Sequence, residues 1–533
     1  MQWLHPAANT VPAQPGDQEF LLLSGVVTGP VSPEWVRDIA VALRDGRYAD
    51  LRRVPGDLAG VLVTPERVYL FRNMSSVEGL MYRRSGASFR WSTDPTDLLD
   101  EGCEEFDLAA IWRCCRSDQH FIYRNVTPVR PGEVVIADRH GISKVDFDPV
   151  IPLDVPRRTS LAEYAELTYE LILDAVRPYA ASGRVGIMLS GGVDSASVLC
   201  ALADLGADVV AYHYAGDDPL ADESGNARSV CARLGVPFVP VEVDTGDGYL
   251  SEEWVLPHPF TAYAFRWLEQ LAERAHSDGI RLMTWGREGD MIFGPGTGYG
   301  LYNLLRDDVS LPEKLAVCQG LVSSRWELSR LLKSITPSGA LNRLPAPSGD
   351  TTPRTDFLTP LTVPDDRFDF EYATREHTMD LTSWRPRGTV LANPLGDRNL
   401  RRLSARLPQA YRLLPHQGAL ITKPVLRLAL SGRVPGEVWR KCGRLYLQSP
   451  HKTYALNHPE VFARLIGRPD SELVRRGVVD PDRLARVLSE PALLRRNTQS
   501  LIASAMTELF LRSHENKTYR TGKGERGVLA ATG

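Results

Sequence analysis

The stretch LSGGVDSASV, residues 189–198, concentrates groups that handle anions. It lies where the apolar run 185–189 gives way to helix-forming residues. Leu189 and Ser190 close the run, and Gly191 and Gly192 let a backbone approach a phosphate closely at a helix start, where N–H groups and the dipole attract negative charge. Asp194 would repel a phosphate by itself; a Mg2+ ion between them neutralises both. Ser195 follows at once. The stretch lacks the Gly-Lys-Ser/Thr of a Walker A loop. The alternative is a tight strand-to-helix turn with no ligand.

The elements that position these residues are legible from periodicity. Leu161, Tyr164, Ala165, Leu167, Leu171, Ile172, Ala175 and Val176 recur at helical spacing. The pattern then predicts strands over 185–189, 209–214 and 238–243, with helices over 195–205 and 222–234 between them. Strand and helix in alternation describe a parallel, doubly wound sheet, whose ligands collect at the carboxyl ends of the strands. Residues 20–150 read differently: short alternating runs such as LLLSGVV, AGVLV, RVYLFR and EVVIA, separated by turn residues, predict an antiparallel sheet. A Pro-rich joint, DPVIPLDVPRR at 148–158, parts the two regions. Beyond about residue 300 the pattern is mostly helical.

LSGGVDSASV resembles the pyrophosphate loop of the N-type ATP pyrophosphatases, in the asparagine synthetase branch, whose members make acyl-adenylates from ATP and release pyrophosphate. The likeness continues along the chain. AYHYAGDDPLADESGNARSVCARLG is similar to the family's second strand and following helix, and LMTWGREGDMIFG to its second phosphate loop. ANPLGDRNL, KPVLRLALSGRVPGEVWRKCG and GVVDPDRLARVL follow in the family's order. The resemblance covers most of residues 160–510. It implies an ATP site formed by Leu189, Ser190, Gly191, Gly192, Asp194, Ser195, Tyr214, Gly286 and Arg287, with Mg2+ held by Asp194 and Asp290. It also implies that Lys441, in EVWRKCG, steadies the developing charge and the leaving phosphate. Glu376, in ATREHT, falls near the acid of a base dyad in the beta-lactam synthetases.

GDLAGVLVTPERVYLFRNMSSVEGLMYRR and IYRNVTPVRPGEVVIADRHG resemble the glutaminase-type Ntn domain that precedes the synthetase in this family. That domain needs a cysteine at its processed N-terminus. Here Gln2 follows Met1 and the first cysteine is Cys103, so glutaminase chemistry is not expected. The predicted architecture is therefore an α/β chain: an Ntn-hydrolase-like αββα sandwich without a nucleophile over 1–152, then a PP-loop synthetase domain with a helical extension over 158–514 and a flexible tail over 515–533. Relatives whose Ntn domain is dead include beta-lactam synthetases and lasso peptide macrolactam cyclases, in which the substrate brings its own amine. Arg287 stands where the dyad tyrosine of the former would fall, and arginine accepts no proton near neutral pH. Glu288 stands where the second loop usually has glycine. Lasso-type macrolactam formation is the expected activity. The alternatives are beta-lactam-like cyclisation of a small amino-acid derivative and amidation with free ammonia. A leader peptidase and a leader-binding protein are the expected partners.

Composition limits other classes. Net charge is −4 with basic residues dispersed, which disfavours nucleic acid, and the basic end SHENKTYRTGKGERGVLAATG is read as a mobile tail. Seven cysteines form no CxxC pair, against a disulfide framework or structural zinc. With no apolar run of membrane length and no secretory signal at the start, a cytoplasmic protein is expected.

Overall fold

The computed structural model of the chain describes residues 2–4, 11–12, 19–27, 32–54, 56–74, 77–86, 88–100, 106–116, 121–215, 222–242, 249–250, 256–259, 265–294, 304, 306–323, 355–360, 375–416, 419–440, 449–515 and 527–529. The N-terminal part of this, to Asp146, forms two antiparallel sheets. One contains β1 (Gln2–Leu4), β2 (Val11–Pro12), β3 (Phe20–Val27), β4 (Asp57–Val63), β5 (Arg67–Arg72), β9 (Glu133–Asp138) and β10 (Gly141–Asp146). Its order is β1-β3-β4-β5-β9-β10, with β2 also on β3. The other contains β6 (Met81–Ser85), β7 (Ser88–Ser92), β8 (Thr127–Pro128) and β18 (Gly527–Leu529) in the order β18-β7-β6-β8. Alternation assigns the faces. Val61, Leu70 and Val135 meet Tyr82, Phe89 and Trp91 between the sheets. Leu62, Tyr69, Phe71 and Val134 point the other way, onto Ile39 and Leu43 of helix α1 (Pro33–Arg44). On the outer side of the second sheet, Ile111, Trp112 and Cys115 of helix α2 (Leu108–Cys115) share a core with Met81. The layers run helix, sheet, sheet, helix, as expected of the Ntn-like sandwich. The backbone of Gly527–Leu529 pairs with Phe89–Trp91 and extends the second sheet.

The remainder of the chain is built on a parallel sheet. Helix α3 (Leu161–Ala180) begins at a capping box in which Ser160 and Glu163 satisfy each other's backbone N–H groups. Next come β11 (Val185–Met188), α4 (Val193–Asp204), β12 (Val209–Ala215), α5 (Ser224–Leu234), β13 (Phe238–Glu242), α6 (Phe265–Ser277), β14 (Leu282–Trp285) and α7 (Gly289–Phe293). Each expected strand and helix from 185 to 243 is present to within two residues. The sheet order is β13-β12-β11-β14-β15, all parallel, and β15 (Val390–Ala392) is a strand inside the part read as helical. Three residues are too few to show a period. α3 and α4 cover one face, while α6, Met379 and Trp384 cover the other. α4 is buried on nearly every side, Val193 and Ser195 to Leu202 included, so its position is fixed by packing all round.

The two halves are joined by buried polar contacts. Arg385 donates from Nη1 to Glu78 at 3.1 Å and from Nε to Asp380 at 3.0 Å, and both carboxylates are nearly fully buried. His377 bonds through Nε2 to the Thr93 carbonyl. The final long helix, Pro491–Glu515, packs Leu501, Phe510 and neighbours against Phe106, Ile111 and Tyr123 of the sandwich. Among the described residues no helix is long and apolar enough to cross a membrane.

His514, near the end of that helix, is buried beside Phe106 and Phe510, and burial lowers it to about 4. A folded pKa below the unfolded value of about 6.5 means stability that is complete above the unfolded value and is lost as pH falls through the folded one. Protonating this ring costs up to roughly 3 kcal/mol over that range. The denaturant midpoint of the wild type is therefore expected to fall more steeply between about pH 6.5 and pH 4 than that of His514→Phe. Parallel acid limbs would show that His514 does not set the slope.

Candidate active site at the switch point of the parallel sheet

Sequence order reverses beside β11, whose neighbours are β12 on one side and β14 on the other. Crevices at such a reversal take ligands. The register aligns Met188 with both Tyr212 and Trp285, so the segments that leave β11 and β14 emerge side by side. Leu189 is buried, its N–H bonded to Tyr212 and its carbonyl receiving His213 Nδ1 at 2.7 Å. Burial lowers the His213 pKa, and the bond to the Leu189 carbonyl opposes the shift. Tyr214 is the last residue but one of β12, with its ring edge-on to Trp267.

The first loop is shaped from inside. Ser195 is buried, and its Oγ accepts the Ser190 N–H at 3.0 Å while lying 3.0 Å from Ser190 Oγ. Ser190 Oγ accepts the Gly192 N–H at 3.2 Å. Gly191 has φ of 84°, in the left-handed region, and a Cβ there would lie 2.7 Å from Glu223 Cβ. No side chain caps α4, so the N–H groups of its first turn remain for a ligand.

The second loop lies directly against the first. A Cβ on Gly286 would sit 2.3 Å from the Ser195 nitrogen, and one on Gly289 would sit 2.4 Å from Asp194 Oδ1. Only glycine permits this contact, and it draws the start of α7 up to Asp194. Arg287 lies in the turn between them, partly buried. Glu288 occupies the left-handed region at φ of 71°. Its carboxylate pairs with Arg401 at 2.7 Å and accepts from Asn393 Nδ2 at 3.0 Å. The side chain that departs from the family pattern is thus tied to the chain segment after β15.

The carboxylates of Asp194 and Asp290 converge on one ammonium. Lys423 Nζ lies 2.8 Å from Asp290 Oδ1 and bonds Asp194 Oδ2 more closely still. The Lys423 side chain is only 7 % exposed, whereas that of Asp290 is 62 % exposed, so the cluster opens to solvent on the Asp290 side. Burial raises the pKa of Asp194; Lys423 opposes the shift and Asp290 adds to it. Asp194 Oδ1 is buried and accepts no hydrogen bond among the described residues. A hard cation suits that oxygen. Among those residues no three His, Cys, Asp or Glu side chains group so as to hold a metal unaided. Two carboxylates completed by substrate phosphates is the donor set Mg2+ takes in nucleotide sites, and these residues fit it.

Lys423 was not singled out by sequence, although it opens KPVLRLALSGRVPGEVWRKCG. Its signal was the Lys-Pro pair. Proline occupies the first turn of the helix Pro424–Ala429, and the lysine caps it at φ of 58°. A cation at a helix N-terminus is disfavoured by the dipole and needs anionic partners. Arg412 also escaped notice: it donates from Nη1 to the carbonyls of Ile292 at 2.8 Å and Gly294 at 3.1 Å, while its own carbonyl accepts the Lys423 N–H at 3.0 Å. Lys441 lies outside the described residues. Glu376 is in the short helix Arg375–Met379, with its side chain outside them.

The asparagine synthase family profile matches residues 168–512, and the chain belongs to that family. It is also 28% identical over 82 residues to the microcin J25-processing protein McjC of Escherichia coli, a match covering 15% of this chain and 16% of that protein. Among solved structures, the glutamine phosphoribosylpyrophosphate amidotransferase from B. subtilis, complexed with ADP and GMP, aligns at 12% identity, with 62% of each chain covered and a TM-score of 0.19. The allosteric regulatory enzyme of purine biosynthesis aligns at 11% identity over 58% of this chain and 61% of that one, with a TM-score of 0.18. The chain spans less than two thirds of each of these three proteins.

A non-glycine residue in the left-handed region costs about 1–2 kcal/mol. Glu288→Gly and Glu288→Ala both lose the bonds to Arg401 and Asn393, but only the glycine relieves the backbone. The glycine variant is expected to be the more stable of the two by about 1 kcal/mol in denaturant unfolding. Equal stabilities would mean that the loop carries no strain at this position.

Proposed function

We propose that the chain is an ATP- and Mg2+-dependent carbon–nitrogen ligase that closes a macrolactam in a peptide. The observation that carries this reading is the convergence of Asp194 and Asp290 at the switch point of the sheet, in a chain of the asparagine synthase family. The N–H groups of the first turn of α4 bind phosphate, and the internal bonds of Ser190, Gly192 and Ser195 hold the loop in shape around it. Asp194 and Asp290 would hold Mg2+, which would supply neutralisation of phosphate charge. Leu189, Tyr214, Gly286 and Arg287 border the nucleotide.

The substrate carboxylate attacks the α-phosphorus of ATP. The bond to the bridging oxygen breaks, pyrophosphate leaves, and an acyl-adenylate remains. An amine of the same substrate then attacks the acyl carbon and AMP leaves, so the product is the substrate less one water. A tethered amine brings a high effective concentration if the site holds both ends together. Lys441 steadies the charge that develops on the leaving phosphate, and Glu376 is the candidate for taking the amine proton. One observation supports a substrate that brings its own amine, and a second supports a peptide. Cys114 and Cys115 in the sandwich are buried, with the Cys115 thiol pushed up to about 12 by burial, so neither serves as a glutaminase nucleophile. The likeness to a microcin-processing protein supports a peptide over a small amino-acid derivative. A leader-removing protease, which frees the attacking amine, and a leader-binding protein complete the proposed set of partners.

Asp194→Asn and Asp290→Asn are expected to lose ATP–pyrophosphate exchange at least a hundredfold while keeping the wild-type circular dichroism spectrum. A folded Asp194→Asn variant with normal exchange would remove the metal assignment. Lys441→Ala is expected to lose turnover far more than ATP affinity, since its contact matters chiefly in the transition state. With ATP and Mg2+, mass spectrometry of a processed precursor peptide should show loss of one water as AMP and pyrophosphate accumulate. If peptides stay linear while a small amino-acid derivative cyclises, lactam formation on small substrates replaces this reading.

A further inference from the structure

The ammonium of Lys423 stands between the two carboxylates that the proposed function gives to Mg2+. We infer that Lys423 is a built-in placeholder for that ion, which keeps free divalent cations out and admits the metal only together with nucleotide phosphate. The inference rests on Asp194 and Asp290 being the metal ligands.

Three features point this way. The lysine backbone is fixed: its N–H bonds the Arg412 carbonyl at 3.0 Å, and Pro424 locks the following turn, so only the side chain is left to move. The ammonium is nearly buried and neutralises one of the two carboxylate charges, so a lone divalent ion meets a site of reduced charge already holding a cation. Asp194 nevertheless keeps its second oxygen buried and without a hydrogen bond among the described residues, an acceptor the lysine does not satisfy. Incoming ATP brings phosphate oxygens that supply the ammonium with new partners. The lysine can then swing from the carboxylates to the phosphates along its four-carbon stem as the metal takes its place. A metal bound ahead of nucleotide would draw in other anions; the placeholder makes metal entry conditional on the substrate.

The test uses Mn2+ alone, followed by electron paramagnetic resonance on the full chain without nucleotide. Wild-type protein is expected to show no stoichiometric uptake. Lys423→Met and Lys423→Gln should each take up about one ion per chain, at least tenfold more tightly than wild type, and a second change, Asp194→Asn, should abolish the gain. Tight uptake by wild type overturns the inference without recourse to any variant. So does a gain in the lysine variants that survives Asp194→Asn, and so does the absence of a gain in folded variants. ATP–pyrophosphate exchange separates this from the parent reading. If exchange needs both aspartates yet the lysine variants take up no Mn2+, only the placeholder fails; if exchange is indifferent to both aspartates, the metal assignment itself fails.

Discussion

Two carboxylates pressed together at the end of a parallel sheet repel each other unless a cation lies between them. Much of the second half of the chain serves to meet that condition. β11 and α4 bring Asp194, β14 and α7 bring Asp290, and Lys423 follows a hairpin of β16 (Leu413–His416) and β17 (Ala419–Thr422). Arg412 at the base of that hairpin holds the α7 end with its guanidinium and Lys423 with its carbonyl. Burial lowers this arginine to about 10, yet three carbonyls, those of Ile292, Gly294 and Ser404, hold it in place. Displacing any of these parts moves a charge relative to its partners, and the shift matters most at the buried Lys423 and Asp194 side of the site.

What could be read in the sequence was local. Two glycines, an aspartate and flanking serines after an apolar run suffice to locate the first loop, and alternation of strand and helix to infer the parallel sheet. Long-range pairings left weaker marks. Lys423 and Asp194 are 229 positions apart, so nothing near the lysine announced its partner beyond the oddity of a cation at a helix start. Glu288 was visible as a departure from the second loop's usual glycine. Its compensation was not, because Asn393 and Arg401 lie more than a hundred residues downstream. β15 was missed for a different reason: a three-residue strand has no measurable period.

The sandwich contributes packing and buried polar contacts to the synthetase half. Glu78 and Asp380 approach the same guanidinium from opposite halves of the chain, with His377 against Gly79 close by. Removing one partner of such a network leaves a buried charge unpaired, a cost of about 3–5 kcal/mol, so changes at this junction should travel into Trp384 and the face of the parallel sheet that it covers.

The seating of the last long helix against α2 bears on how the chain is made. α2 leaves the ribosome well before the residues that cover it, Leu501, Phe510 and their neighbours. Between those two points the outer side of the sandwich presents Ile111 and Trp112 without their final cover. The sandwich is finished only when that helix docks. Apolar surface exposed in that interval invites association with other chains, and a chain shortened before residue 491 would keep its parallel sheet while leaving that surface open.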